Sequence, residues 1–191
     1  MYSARFDAAL TLAGLRHAGQ VRKGSGAPYL VHLVHVAAIL ARAGYDENTQ
    51  IVGLLHDIIE DTTSDAHEVR TVSDDIRNQF GASVIEAVET LSEPKRDAEG
   101  NAMPWQARKD QYIAQLKVGS TMALHVSAAD KLHNLATLAE QLEHRGESVW
   151  KRFKVGPDET FWFYRSVHEV LKARTPGPLV DALGQQIGSM S

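Results

Sequence analysis

The sequence predicts an all-α, single-domain helical bundle on three observations. Apolar residues recur at intervals of three and four along most of the chain, the spacing that gives a helix one buried face. No segment keeps the strict alternation of a half-buried strand, and no internal repeat is apparent. The length, 191 residues, fits one domain and suffices to bury a core without disulfides.

The elements follow in order. Phe6, Leu10 and Ala13 define one face of a first helix that Ser3 can cap. The Gly- and Pro-rich run Arg22-Lys23-Gly24-Ser25-Gly26-Ala27-Pro28 ends any helix there. Leu33, Val36, Ala37 and Leu40 mark a second helix that stops near Gly44. Asp46 can cap a third, with Ile51, Leu54, Leu55 and Ile58 inward. Ile76 and Phe80 belong to a short helix closed by Gly81, and Val84, Val88 and Leu91 to the next. The charged segment Glu93 to Pro104 reads as a mobile loop. Helices resume at Trp105–Leu116 and about Thr121–Leu142, and a last long one runs from about Asp158 to Arg174. Pro176-Gly177-Pro178 then divides a main domain, residues 1–175, from a tail, 176–191, with a short helix.

Composition excludes several function classes. Asp and Glu number 24 against 20 Lys and Arg, a net charge of −4 that argues against binding nucleic acid through bulk electrostatics. The absence of cysteine removes disulfides, thiolate zinc sites and cysteine nucleophiles. No apolar run is long enough for a signal peptide or a bilayer span, so a cytoplasmic protein with no membrane partner is expected. Whether identical copies assemble is left open. The nine histidines are about twice the usual number, so their placement matters.

The segment Leu54-Leu55-His56-Asp57-Ile58-Ile59-Glu60-Asp61-Thr62 is the most informative. On one helix, His56 and Glu60 are four apart and Asp57 precedes Glu60 by three, so the polar groups share a face opposite four apolar residues. Three carboxylates and an imidazole packed that closely repel one another unless a cation joins them, and a divalent metal takes both ligand types. His32 opens the second helix, where a neighbouring helix can bring it to the His-Asp pair. Asp130 interrupts an otherwise apolar helix and needs a partner, and Asn134 and Thr137 continue a polar line from it. Two His and two Asp with open positions make a hydrolytic rather than a closed structural site.

The order His, His-Asp, distant Asp resembles the HD superfamily of metal-dependent phosphohydrolases. More narrowly, Arg22 to His32, Leu54 to Thr62 and Ala129-Asp130-Lys131-Leu132-His133-Asn134-Leu135 look like the hydrolase domain of the Rel/Spo alarmone enzymes and the free-standing small alarmone hydrolases. The Glu60-Asp61 pair narrows the resemblance to that branch. It implies one metal, usually manganese, on His32, His56, Asp57 and Asp130, with Glu60 and Asp61 activating the attacking water. It implies that Arg22, Lys23 and Ser25 contact the base and that Asn134 and Thr137 contact base or sugar. Lys95, Arg108 and Lys109 are expected to face the phosphates.

The implied activity is 3′-pyrophosphohydrolysis of a purine nucleoside 3′,5′-bis(diphosphate), the guanosine form or its adenosine counterpart. With 191 residues there is no room for synthetase and regulatory domains, so degradation alone is expected. Leu33 stands where the family commonly has Pro, Ala27 replaces a frequent acidic residue, and the base loop carries an extra glycine. Rivals are another HD nucleotide phosphatase or 5′-nucleotidase, and a silent nucleotide-sensing HD domain, which has no use for a water-activating pair. His35 reads as a packing or surface residue, His133 as pointing elsewhere on its helix, and Phe161 to Tyr164 as core.

Overall fold

Ser3 starts the first helix by accepting the Phe6 amide on its hydroxyl at 3.2 Å, and α1 runs Ala4–Arg16. The structure, a computed structural model, describes residues 2–97 and 99–190. There follow α2 (Tyr29–Arg42), α3 (Glu47–Leu55), α4 (Ile58–Thr62), α5 (Ala66–Phe80) and α6 (Ala82–Leu91). The second half comprises α7 (Trp105–Val118), α8 (Thr121–Arg145), a 3-10 helix (Gly146–Arg152), α9 (Pro157–Arg174) and α10 (Pro178–Ser189). Among the described residues extended pairing is confined to two isolated bridges, Val21 with Pro28 and Arg96 with Ala102. None of the described helices is long and apolar enough to cross a membrane.

The long helix α8 is the axis of the bundle and packs against α2, α3, α6, α9 and α10. Leu124, Val126, Ala128, Ala129 and Leu135 are fully buried along it, so Asp130 among them is carried into the core. Helix α10 packs on α8 and α9 and adds Leu179, Val180, Leu183 and Ile187 to the same core. Residues 95–97 pair with 101–103, the Met103 amide donating to Lys95 O at 3.1 Å and the Asp97 amide to Asn101 O at 2.9 Å. The 3-10 helix after α8 had no signal in the apolar spacing.

Helices α2 and α3 cross closely because Gly53 stands between them. A Cβ there would lie 2.8 Å from Leu40 Cδ1 and 3.4 Å from the Ala37 backbone. One expectation is corrected at this crossing: His56, Asp57, Glu60 and Asp61 do not ride a single helix. Helix α3 ends at Leu55, α4 begins at Ile58, and His56-Asp57 form the turn between them. The His56 ring donates through Nδ1 to the Gly53 carbonyl at 2.9 Å, competing for the acceptor that the Asp57 amide would use in an unbroken helix. The break turns His56 and Asp57 inward and leaves Glu60 and Asp61 a turn further on.

Candidate metal centre and adjoining cleft

Three separate pieces of chain meet in the core. The first turn of α2 supplies His32, the α3–α4 turn supplies His56 and Asp57, and the middle of α8 supplies Asp130. His32 Nε2 lies 3.2 Å from Asp130 Oδ1 and 3.6 Å from Asp57 Oδ2. His56 Nε2 lies 3.1 Å from Asp57 Oδ2 and 3.6 Å from Asp130 Oδ1. Ligand atoms of His32, His56 and Asp130 all fall within 4.8 Å of one another. Both imidazoles are almost wholly buried, 1% and 3% exposed, and neither Nε2 has a hydrogen-bond partner despite the nearby carboxylates.

That combination fits a cation. Ligands bonded at about 2.1 Å in tetrahedral or octahedral arrangement stand roughly 3.0–3.4 Å apart. The four nitrogen–oxygen separations span 3.1–3.6 Å. Burial alone would push the Asp57 carboxyl up, but the facing His56 and His32 rings outweigh it and hold it well below the usual range. Asp130 behaves likewise, burial being outweighed by Lys131 and the two rings. Burial disfavours a charged His56, yet Asp57 and Asp130 raise it well above the ordinary histidine value. Positive charge is therefore strongly favoured at this point of the core, which is the property a divalent metal satisfies.

Surrounding groups fix the carboxylates. Tyr29 donates its hydroxyl to Asp57 Oδ2 at 2.6 Å. Lys131 Nζ and Asn134 Nδ2 donate to the two oxygens of Asp130, each at 2.6 Å. A cleft of about 550 Å³ opens beside this cluster. Glu60 and Asp61 line it, and burial followed by the Asp57 charge pushes the Glu60 carboxyl up to about 7. Asp61 is held from two sides, by Gln20 Nε2 at 3.0 Å and Lys95 Nζ at 3.4 Å. Gln20 is itself oriented by the His17 Nδ1–H at 2.7 Å, and His17 stacks on Tyr29 with ring centroids 5.0 Å apart.

The predicted substrate residues divide into three groups. Arg22, Lys23, Asn134 and Thr137 line the cleft together, with Arg22 Nη2 donating to Asn134 Oδ1 at 2.9 Å and to Thr137 Oγ1 at 3.3 Å. Lys95, Arg108 and Lys109 also line it, but all three are paired within the chain. Arg108 and Lys109 both bind the buried Glu93, and Lys95 binds Asp61 and the Glu60 carbonyl. Ser25 is not brought to the cleft wall among the described residues; its hydroxyl accepts the Ala27 amide at 3.3 Å and caps its own loop.

Sequence reasoning missed Gln20, Tyr29, Lys131, Gln141, Arg152 and Tyr164 on the cleft wall. Lys131, next to Asp130, was the most accessible of these from spacing. Arg152 comes from the 3-10 helix and had no signal: it bonds Gln141, and a Cβ on Gly24 would run into both side chains. Gly24 in the Arg22 to Pro28 loop therefore makes room for Arg152. Phe161 is core as expected, whereas Phe163 and Tyr164 also face the cleft. His133, read as facing away, turns its ring onto His32.

Comparison with known proteins agrees with this geometry. A family model described as HD domain matches residues 9–154. The bifunctional (p)ppGpp synthase/hydrolase SpoT of Escherichia coli K12 is 34% identical over 134 residues, covering 70% of this chain and 18% of SpoT. The chain thus spans under a fifth of the length of that curated relative. A solved structure described as a metazoan ortholog of SpoT that hydrolyses ppGpp superposes with a TM-score of 0.76 at 26% identity, covering 100% of this chain and 98% of the other. A crystal structure of a Listeria monocytogenes EGD-e protein, lmo0812, gives a TM-score of 0.69 at 31% identity, covering 83% and 97%. With the family model spanning most of its length and the His, His-Asp and Asp elements converging as the motifs require, the chain belongs to the HD domain family, homologous to the Rel/Spo hydrolase domain.

Proposed function

We propose that the chain is a manganese-dependent 3′-pyrophosphohydrolase of purine nucleoside 3′,5′-bis(diphosphates), acting in the cytoplasm without nucleic-acid or membrane partners. The observation that carries this reading is the pair of orphaned, buried imidazole nitrogens facing Asp57 and Asp130, one turn from a carboxyl poised near neutrality. The names borne by the E. coli and metazoan relatives, a (p)ppGpp synthase/hydrolase and a ppGpp hydrolase, support the substrate class.

His32, His56, Asp57 and Asp130 would hold the metal. When bound, a divalent cation screens the charge of the 3′ diphosphate and makes water a better nucleophile at neutral pH. Glu60 takes a proton from the water that attacks the phosphorus next to ribose O3′, and the burial that pushes its carboxyl up helps keep it basic enough for that role beside a cation. Asp61, fixed by Gln20 and Lys95, orients that water. The P–O3′ bond breaks, the proton taken by Glu60 passes to O3′, and the products are pyrophosphate and the 5′-di- or triphosphate nucleotide. Arg22 stacks on or hydrogen-bonds the purine beside Asn134 and Thr137, and the cations around Glu93 receive phosphate oxygens.

The test is product analysis on the metal-stripped chain with guanosine and adenosine bis(diphosphates). Manganese addition is expected to release pyrophosphate, and Asp57→Ala to lose both metal and turnover. Orthophosphate as the sole product would assign a different HD phosphatase activity. Full turnover in a preparation shown metal-free by elemental analysis would end the proposal.

A further inference from the structure

Three imidazoles run in a row from the buried centre to solvent. His32 and His35 lie one turn apart on α2, and Asp130 and His133 lie one turn apart on α8. Each helix thus presents a group to the centre and, three residues on, a second ring on the same face. His32 Nδ1 stands 2.8 Å from His133 Nδ1, and His133 Nε2 stands 3.0 Å from His35 Nδ1. The ring centroids are 4.9 and 5.0 Å apart, and exposure rises from the buried His32 through the half-buried His133 to the exposed His35.

The row has a defined direction. His32 turns Nε2 toward Asp57 and Asp130, so an Nε2 that gives its lone pair to a cation leaves the ring proton on Nδ1. That N–H can only donate, and His133 Nδ1 must accept. His133 then carries its proton on Nε2 and donates to His35 Nδ1, which places the last N–H at the surface. The two imidazoles of the centre are therefore anchored differently. His56 is braced by a backbone carbonyl, Gly53 O, whereas His32 depends on a side chain that could accept or donate.

We propose that His133 is a positioning residue for the metal, holding the His32 ring in the tautomer and orientation that ligation needs, with His35 keeping His133 in its accepting form. This rests on the reading of His32 as a ligand. Groups that brace a metal-bound histidine in this way typically contribute about 10- to 100-fold in metal affinity.

The experiment is manganese titration of the metal-stripped full-length chain by calorimetry, read without any turnover. His133→Leu, which offers no acceptor, is expected to bind about 10- to 100-fold more weakly than wild type. His133→Asn, which keeps an acceptor where Nδ1 stood, is expected to recover most of that loss. His35→Ala, at an exposed position that folding tolerates, is expected to lose about tenfold, and to add nothing when combined with His133→Asn. His133→Leu or His35→Ala binding manganese as tightly as wild type overturns the proposal alone. A wild type that takes up no manganese, or an Asp57→Ala variant that still does, overturns the centre itself and the proposal with it.

Discussion

Glu93→Gln separates stability from ligand affinity, because the carboxylate it removes is the shared partner of two cleft cations. The Glu93 side chain is only 5% exposed, and it accepts from Arg108 and from Lys109, themselves 16% and 17% exposed. Burial pushes the Glu93 carboxyl up, but the charges and hydrogen bonds of Lys109 and Arg108 outweigh it and leave it below the ordinary 4.5. Removing one member of a buried ion pair typically costs about 3–5 kcal/mol, and the amide oxygen of Gln retains one acceptor, so about 3 kcal/mol is expected. For a domain of this size that is a fall of about 6–12 °C in Tm. The freed cations then take an added anion more readily. At a pyrophosphate concentration a hundred times the variant's Kd, the variant gains about 2.7 kcal/mol. Wild type, whose cations are still held by Glu93 and bind more weakly, gains less at the same concentration, so the rise in Tm should be larger for the variant. The sign with pH follows from the lowered carboxyl: its contribution is fully present above 4.5 and is lost as the pH falls through the depressed folded value. The gap between the two proteins should therefore close in acid. Thermal melts with and without pyrophosphate measure all three effects. A variant that melts with wild type at neutral pH, or gains no more than wild type from pyrophosphate, would refute the reasoning.

Three further outcomes are expected. Glu60→Gln should cut kcat by about 10²–10⁴-fold with metal content unchanged, and should remove the acid limb that Glu60, at about 7 in the metal-free chain and lower beside a cation, imposes on the wild-type pH profile; a limb that survives in the variant rules Glu60 out as the base. Gln20→Ala removes the donor on Asp61 and should lower kcat by about 10- to 100-fold at nearly constant KM, so steady-state kinetics showing a change in KM alone would contradict that role. Competition between the guanosine and adenosine bis(diphosphates) should show at least about a tenfold preference in kcat/KM that Asn134→Ala erases, and equal rates in the wild type would mean that Asn134 and the Arg22 loop do not read the base.

Much of this molecule was legible from spacing because apolar periodicity and side-chain caps are local. Ser3 and Asp46 cap where expected, and Leu33, Val36, Leu40, Leu54 and Leu55 are fully buried. The convergence of His32, His56, Asp57 and Asp130 was legible for a different reason: each is a costly residue in an apolar setting, so a shared purpose was the economical reading. What escaped were properties that no window along the chain contains. The helix break at His56-Asp57 depends on a ring competing for the Gly53 carbonyl. Neutralisation of Arg108 and Lys109 depends on Glu93, 15 and 16 residues away. The contact of His133 with His32 spans 101 residues, and its only trace in the sequence is the matching three-residue spacing on two helices.

The separation of the proposed ligands along the chain also governs when such a centre can form. His32 and Asp130 lie about a hundred residues apart, and Asp130 sits midway along α8, the helix against which α2 and α3 pack. During synthesis, the N-terminal helices emerge with a His-Asp pair and a lone histidine but no fourth group. The full ligand set closes only after α8 has been made and docked. On the proposed assignment, metal uptake would be coupled to completion of the bundle, and the free energy of binding the ion would become free energy of folding. A truncated or stalled chain would hold the cation weakly, which keeps the chemistry of the centre confined to finished molecules.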